Sequence, residues 1–322
     1  MNADNRIGED GRIRYIDLAK GIGILLVVWY HIATPVDNLL NLFFMPLFFF
    51  LSGVCFNTGI TLSDFFTKKS KRLLFPLIIG AALGILLEIF VYNFATYDSS
   101  IKSGFYNFWL VGNVPLWFLL TLFYTMTIVM LIEKSIRRQS LKLFIYAVLS
   151  AIGFSLSQLH IKNTLFLGHS LLILPFFIAG YCSKNILAKH NWANNIILII
   201  CLALLAYKGF DGIERTNIHQ FVFHKFYYSS ILLGFAGVYT ILWLSHNLSR
   251  HFELNWLQLL GRSTMYILVL HYLIVHPLLP YFFDSKEHPY KYAISFILAV
   301  IVSTFCASIP KLKSIFRTKK AA

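Results

Sequence analysis

The sequence predicts an all-α fold, a polytopic membrane protein with about ten transmembrane helices and both termini in the cytoplasm. Three observations lead there. Hydrophobic residues make up 57% of the 322-residue chain and charged residues only 13%, against about 45–50% and about 25% in soluble domains. The apolar residues gather into runs close to the roughly 20 residues that cross the hydrocarbon of a bilayer. The basic residues lie in the connections between those runs. A net charge of +14 distributed in that way marks membrane topology and not a nucleic-acid partner.

The first run, residues 15–34, follows a polar N-terminal tail, 1–14. The second, 39–60, contains Pro46, which a membrane helix tolerates when neighbours satisfy the freed carbonyl. The third, 73–95, begins after the basic stretch Lys68, Lys69, Lys71 and Arg72. Then come 115–132 and 141–159, the two shortest runs, 165–181 and 194–207, and 226–245. The ninth, 259–283, carries His271 and His276; the tenth, 292–309, precedes a basic C-terminal tail, 310–322. An even number of spans puts both termini on one side. Of the 28 Lys and Arg, 21 fall on that side, which the positive-inside rule identifies as cytoplasmic.

No connection is long enough for a separate soluble domain, so residues 1–322 read as one integral-membrane domain in contact with the lipid bilayer. The longest connections, 96–114 and 208–225, face outward and carry aromatic residues. They serve either as interfacial anchors or as caps over a cavity. No cleavable signal segment precedes the first run. The four cysteines lack metal-ligand spacing and read as small buried apolar residues; no metal site is expected.

Ionisable side chains inside a span are costly unless they meet a partner or a cavity. Arg14, Asp17 and Lys20 recur at one helical turn near the start of the first helix. Asp17 is expected to pair with Arg14 or Lys20. His31 lies 14 residues beyond Asp17, roughly 21 Å along a straight helix, so Asp17 cannot orient it. Glu88, 15 residues into the third run, stands at the same depth as His31 and is its expected partner. In a low-dielectric site that pairing would orient the imidazole and raise its basicity. His271 falls near mid-membrane and reads equally as a donor bridging two helices.

Six ordered stretches resemble the acyltransferase-3 family of multi-pass membrane O-acyltransferases. They are Arg14-Tyr-Ile-Asp17-Leu-Ala-Lys20-Gly21 with Val27-Val28-Trp-Tyr-His31, then Met45-Pro46 through Ser52-Gly53, then Lys68-Lys69-Ser70-Lys71-Arg72 through Pro76. Pro115-Leu116-Trp117, Pro175 through Gly180-Tyr181, and Leu260-Gly261-Arg262 through Tyr266 to His271 complete the set. The resemblance implies transfer of an acyl group, usually acetyl, from cytoplasmic acetyl-CoA to a hydroxyl of a surface glycan or its lipid-linked saccharide precursor. It implies location in the bacterial cytoplasmic (inner) membrane. It makes His31 the catalytic residue and places Arg14, Asp17, Lys20, Lys69 and Arg72 on the acyl-CoA side. The family most often has Arg where Lys20 stands, and lysine meets phosphate as a point charge rather than as a bidentate fork.

His31 fits the role of general base toward the acceptor hydroxyl, and equally that of a covalent acyl carrier. Ser52, Trp117 and Tyr266 are candidates by type for donors to a tetrahedral oxyanion, and His271 is a further pocket candidate. Two other functions fit the composition: acylation of a non-sugar alcohol, and a transporter or flippase without acyl chemistry.

Overall fold

The structure, a computed structural model, describes residues 13–92, 112–159, 165–189, 195–210, 221, 227–282 and 290–309. The elements among them are helices. Seven are long and apolar enough to cross a bilayer, or eight when one bent pair counts as a single span. The ten runs read from the sequence all contain helix, and three depart from a simple span. The run at 165–181 is split into α7 (Leu167–Leu172) and α8 (Leu174–Lys189). Pro175 sits in the first turn of α8, where its missing N–H is an orphan in any helix. The run at 194–207 forms α9 (Asn195–Phe210), only 16 residues long. The run at 259–283 is cut at Ser263 into α11 (Asn255–Arg262) and α12 (Thr264–Phe282), bent by 83°. That span therefore starts at Thr264 and not at 259.

The cause of this bend is a backbone crossing. α11 lies across the start of α1 (Arg14–Ile32). A Cβ at Gly21 would strike the Leu257 carbonyl, and one at Gly261 would strike the Asp17 carbonyl. The two glycines allow the backbones to touch. α2 (Asp37–Val54) and α8 use the same device: Gly53 faces the Phe177 carbonyl and Gly180 the Phe50 carbonyl. Small residues at helix crossings are how membrane helices gain van der Waals contact where lipid tails remove the hydrophobic driving force.

α1 is the central rod. Twelve of its 19 residues are buried, because α2, α10 (Tyr227–His251), α11, α12 and α13 (Lys291–Ser308) all pack on it. Pro46 stays inside α2, as expected. The Trp29 indole donates to Ser295 Oγ at 2.9 Å, and that hydroxyl donates to the Ala33 carbonyl at 2.6 Å. The end of α1 thus meets the start of α13. At the other end Trp256 of α11 donates to Thr304 at 2.9 Å. So α1 begins and α13 finishes at the same end of the bundle.

α3 (Leu62–Lys69) is capped by the Thr61 hydroxyl, which accepts from the Asp64 amide. It runs into α4 (Phe75–Tyr92) through a π turn, Ser70–Leu74. Pro76 has no N–H for the Arg72 carbonyl and its ring crowds that group. The preceding turn widens, and the Phe75 amide donates to Ser70, five residues back. α5 (Trp117–Ser135) and α6 (Gln139–Gln158) complete the set. Exposed apolar side chains such as Phe90, Phe144, Ile196 and Ile297 cover the periphery, a surface suited to hydrocarbon. The connections 96–114 and 208–225 lie largely outside the described residues, as do most of the N-terminal tail and the C-terminal tail.

The glycine crossings are directly testable. Gly261→Val in detergent-solubilised protein is expected to lower the midpoint of thermal unfolding or abolish the monodisperse peak in size exclusion. Overpacking costs about 1–3 kcal/mol even where side chains can yield, and here the opposing atom is backbone. Gly59→Val, whose added Cβ would meet only the Asn57 side chain at 3.1 Å, is expected to leave both readouts unchanged.

Candidate active site

Two clusters of polar side chains lie at opposite ends of α1. At the end where α1 begins, a cavity of about 170 Å³ opens among α1, α2, α5, α12 and the π turn. Lys20, Lys69, Arg72 and Arg262 line it together with Ser52 and Cys55. The Lys20 ammonium donates to Cys55 Sγ at 3.7 Å, and Lys69 Nζ stands 5.7 Å over the Phe56 ring. Of the basic stretch beside the π turn, half-buried Lys69 and exposed Arg72 line the cavity, whereas Lys68 and Lys71 do not. Four cationic side chains around one opening make it electropositive, a setting that suits an anionic group.

Asp17 is buried and pairs with neither Arg14 nor Lys20. Its Oδ2 accepts from Arg262 Nε at 3.1 Å. The expectation from spacing along α1 is corrected by the crossing of α11, which brings a cation from 245 residues away onto the same carboxylate. Arg14 opens α1 but does not line the cavity. Asp17 reaches the cavity only through Arg262.

The cavity walls are apolar and run inward along Leu51, Phe48, Phe118 and Leu268. Two helices carry this line further. On α1, Lys20 and His31 are 11 residues apart, which at about 100° per residue is three turns plus about 20°. They share one face, roughly 16 Å apart along the axis. On α12, Met265 and Leu268 line the cavity, and His271, Tyr272 and His276 follow on the same stripe.

These residues converge where α1 ends. The His31 ring lies 5.2 Å from that of His271 and 5.3 Å, edge on, from Tyr272. Tyr272 stacks on His276 at 5.0 Å. Glu88, buried near the end of α4, stands close enough to His276 for their charges to interact. The expected pairing was of Glu88 with His31; the interaction found for Glu88 is electrostatic, with His276. His31 and Tyr272 are half-buried, so the cluster is accessible from one side.

Of the remaining expected residues, Ser52 lines the cavity, whereas Trp117 and Tyr266 do not. Trp117 packs on Phe166 and His169 at 6.0 and 5.7 Å, and Tyr266 is buried. Their neighbours Phe118 and Met265 form the wall instead. Cys201 and Cys306 are buried as expected, but Cys55 and Cys182 are exposed. Cys55 directly follows α2, so it turns toward the cavity.

Arg262, Cys55 and Tyr272 were not singled out as site residues from the sequence, and His276 stood out only as an ionisable residue within a span. For Arg262 a signal existed: it lies inside the 260–271 stretch and in a basic connection.

The Asp17–Arg262 pair yields a double-mutant prediction. Asp17→Ala and Arg262→Ala are each expected to lower thermal stability, and the double variant to cost little more than the worse single. The expected coupling is on the order of 1 kcal/mol, because Arg262 is 38% exposed.

The profile of the family described as an acyltransferase domain matches residues 13–309. Comparison with curated proteins and with solved structures gave no match.

Proposed function

The chain belongs to the acyltransferase-3 family, and on that premise we propose that it is a membrane O-acetyltransferase. It moves an acetyl group from acetyl-CoA to a hydroxyl of an exported glycan or its lipid-linked precursor, in the bacterial inner membrane. The observation that carries this reading is the placement of Lys20 and His31 on one face of α1, about 16 Å apart. A cationic cavity stands at one end of that face and an imidazole cluster at the other.

Lys20, Lys69, Arg72 and Arg262 bind the phosphates of the donor from the cytoplasmic side, the side that the excess of Lys and Arg favours. The pantetheine arm follows the apolar wall past Phe48 and Leu268 toward His31. The acceptor hydroxyl approaches the half-buried His31 between Tyr30 and Tyr272, whose rings stand 5.3 Å from it. Aromatic faces of this kind suit a sugar ring. An alcohol is a weak nucleophile at neutral pH, so His31 takes its proton as the oxygen attacks the thioester carbonyl. Carbon–sulfur cleavage then gives the ester and CoA thiolate, which recovers the proton from His31.

The experiment supplies radiolabelled acetyl-CoA to reconstituted membranes and follows label into lipid-linked and polysaccharide fractions. Wild type is expected to label one of them, and His31→Ala at equal protein level to lose the signal by at least about 100-fold. Equal labelling by the variant would remove His31 from the chemistry. Label in neither fraction, with transport of a lipid-linked saccharide intact, would replace acyl transfer by the transporter reading. Lys69→Gln and Arg72→Gln are expected to raise the KM for acetyl-CoA about tenfold with kcat largely kept, the pattern of lost uniform binding.

A further inference from the structure

His271 has a property that sets it apart from the other imidazoles of the cluster. It is fully buried, and its Nδ1 lies 2.8 Å from the Ile267 carbonyl one turn earlier on α12. A carbonyl oxygen only accepts, so Nδ1 must carry the hydrogen. In the neutral ring this leaves Nε2 as a bare lone pair. That atom has no hydrogen-bond partner among the described residues. Buried acceptors are nearly always satisfied, and an unsatisfied one calls for a reason. The neighbouring ring is His31, with centroids 5.2 Å apart and planes inclined at 46°. At that separation, facing ring nitrogens come within hydrogen-bond reach.

We propose that His271 is a positioning residue for His31, its Nε2 accepting the N–H of the His31 ring during acyl transfer. The proposal rests on the reading of His31 as general base. A neutral imidazole has one N–H and one lone pair, and only the lone pair can take a proton from the acceptor. By binding the N–H, His271 turns the lone pair of the other nitrogen toward the substrate. The Ile267 carbonyl holds the tautomer of His271, and His271 in turn holds that of His31.

The reaction balances without a proton being lost to His271. The acceptor oxygen bonds to the thioester carbonyl carbon while its hydrogen passes to the unprotonated nitrogen of His31. His31 is then an imidazolium, and its second N–H makes a charge-assisted bond to Nε2 of His271. When the carbon–sulfur bond breaks, the proton leaves His31 for the CoA sulfur. The hydrogen on His271 Nδ1 stays throughout. Tyr272 lies edge on to His31 and stacks on His276.

The test uses the full-length protein in membranes, read both as transfer of labelled acetyl and as release of CoA thiol from acetyl-CoA. His31→Ala comes first, since retention of activity there removes the general-base reading itself. With that variant inactive, His271→Phe is expected to lower kcat about 10- to 100-fold, the range for losing a hydrogen bond to a charged group. The KM for acetyl-CoA is expected to stay within about twofold of wild type, since His271 touches no donor phosphate. His271→Gln places an amide oxygen near the lost Nε2 and is expected to recover most of the rate. His271→Leu, equally without an acceptor, stands in if the Phe variant does not fold. Wild-type kcat in the Phe or Leu variant overturns the proposal and leaves His31 standing. Equal loss in Gln and Phe overturns it as well, because a retained acceptor would then be irrelevant. So does loss of acetyl-CoA binding in parallel with kcat, which would assign His271 to packing.

Discussion

The contact of α1 with α11 through Gly21 and Gly261 sets the position of the basic end of the molecule. Two backbones touch there because neither glycine carries a Cβ. The touch brings Arg262 onto Asp17 and turns the chain by 83° into α12. Any bulkier residue would push α11 outward, and with it one wall of the cation-lined cavity. In a bilayer no water-driven collapse would restore the contact. Residues that read as a functional signature are thus a packing device first, and the cavity follows from the packing.

A rigid rod then links two polar clusters. α1 carries a cation at one end and an imidazole at the other on a single face, so helical rise alone determines their separation. α12 runs alongside with its own stripe, from Met265 and Leu268 in the cavity wall to His271 and His276 beyond. Sites built on helices hold their geometry better than sites on loops. The indole of Trp29 and the hydroxyl of Ser295 tie the end of α1 to α13, which steadies the half-buried His31 near the margin of the bundle.

Ionisable groups buried in the bundle are held in company. Glu133 accepts from Lys142 at 2.6 Å and from the Tyr146 hydroxyl at 2.9 Å, joining α5 to α6 away from the cavity. Asp17 holds Arg262, and Glu88 lies within electrostatic range of His276. Breaking one partner of such a pair leaves the other charge uncompensated in a medium of low dielectric constant. The basic residues divide by the same logic. Lys69 and Arg72 line the cavity beside the π turn that precedes α4, whereas Lys68 and Lys71 do not.

The helical membrane fold, the approximate places of its spans, and the family were legible in the chain, because hydrophobic run length and ordered local motifs are one-dimensional. His31, Lys20, Lys69, Arg72 and Ser52 stood out as candidates for the same reason, each lying in a short motif, and the structure places the last four on one cavity. The split of the run at 165–181 and the break at Ser263 were not, since apolar length says nothing of bends. Nor was the Asp17–Arg262 pair, whose members are 245 residues apart, or the meeting of His31 with His271 and Tyr272. Sequence determined which side chains were available and at what height along each helix. Only the tertiary structure decided which faces met, because azimuth is set by close contacts between helices distant in the chain.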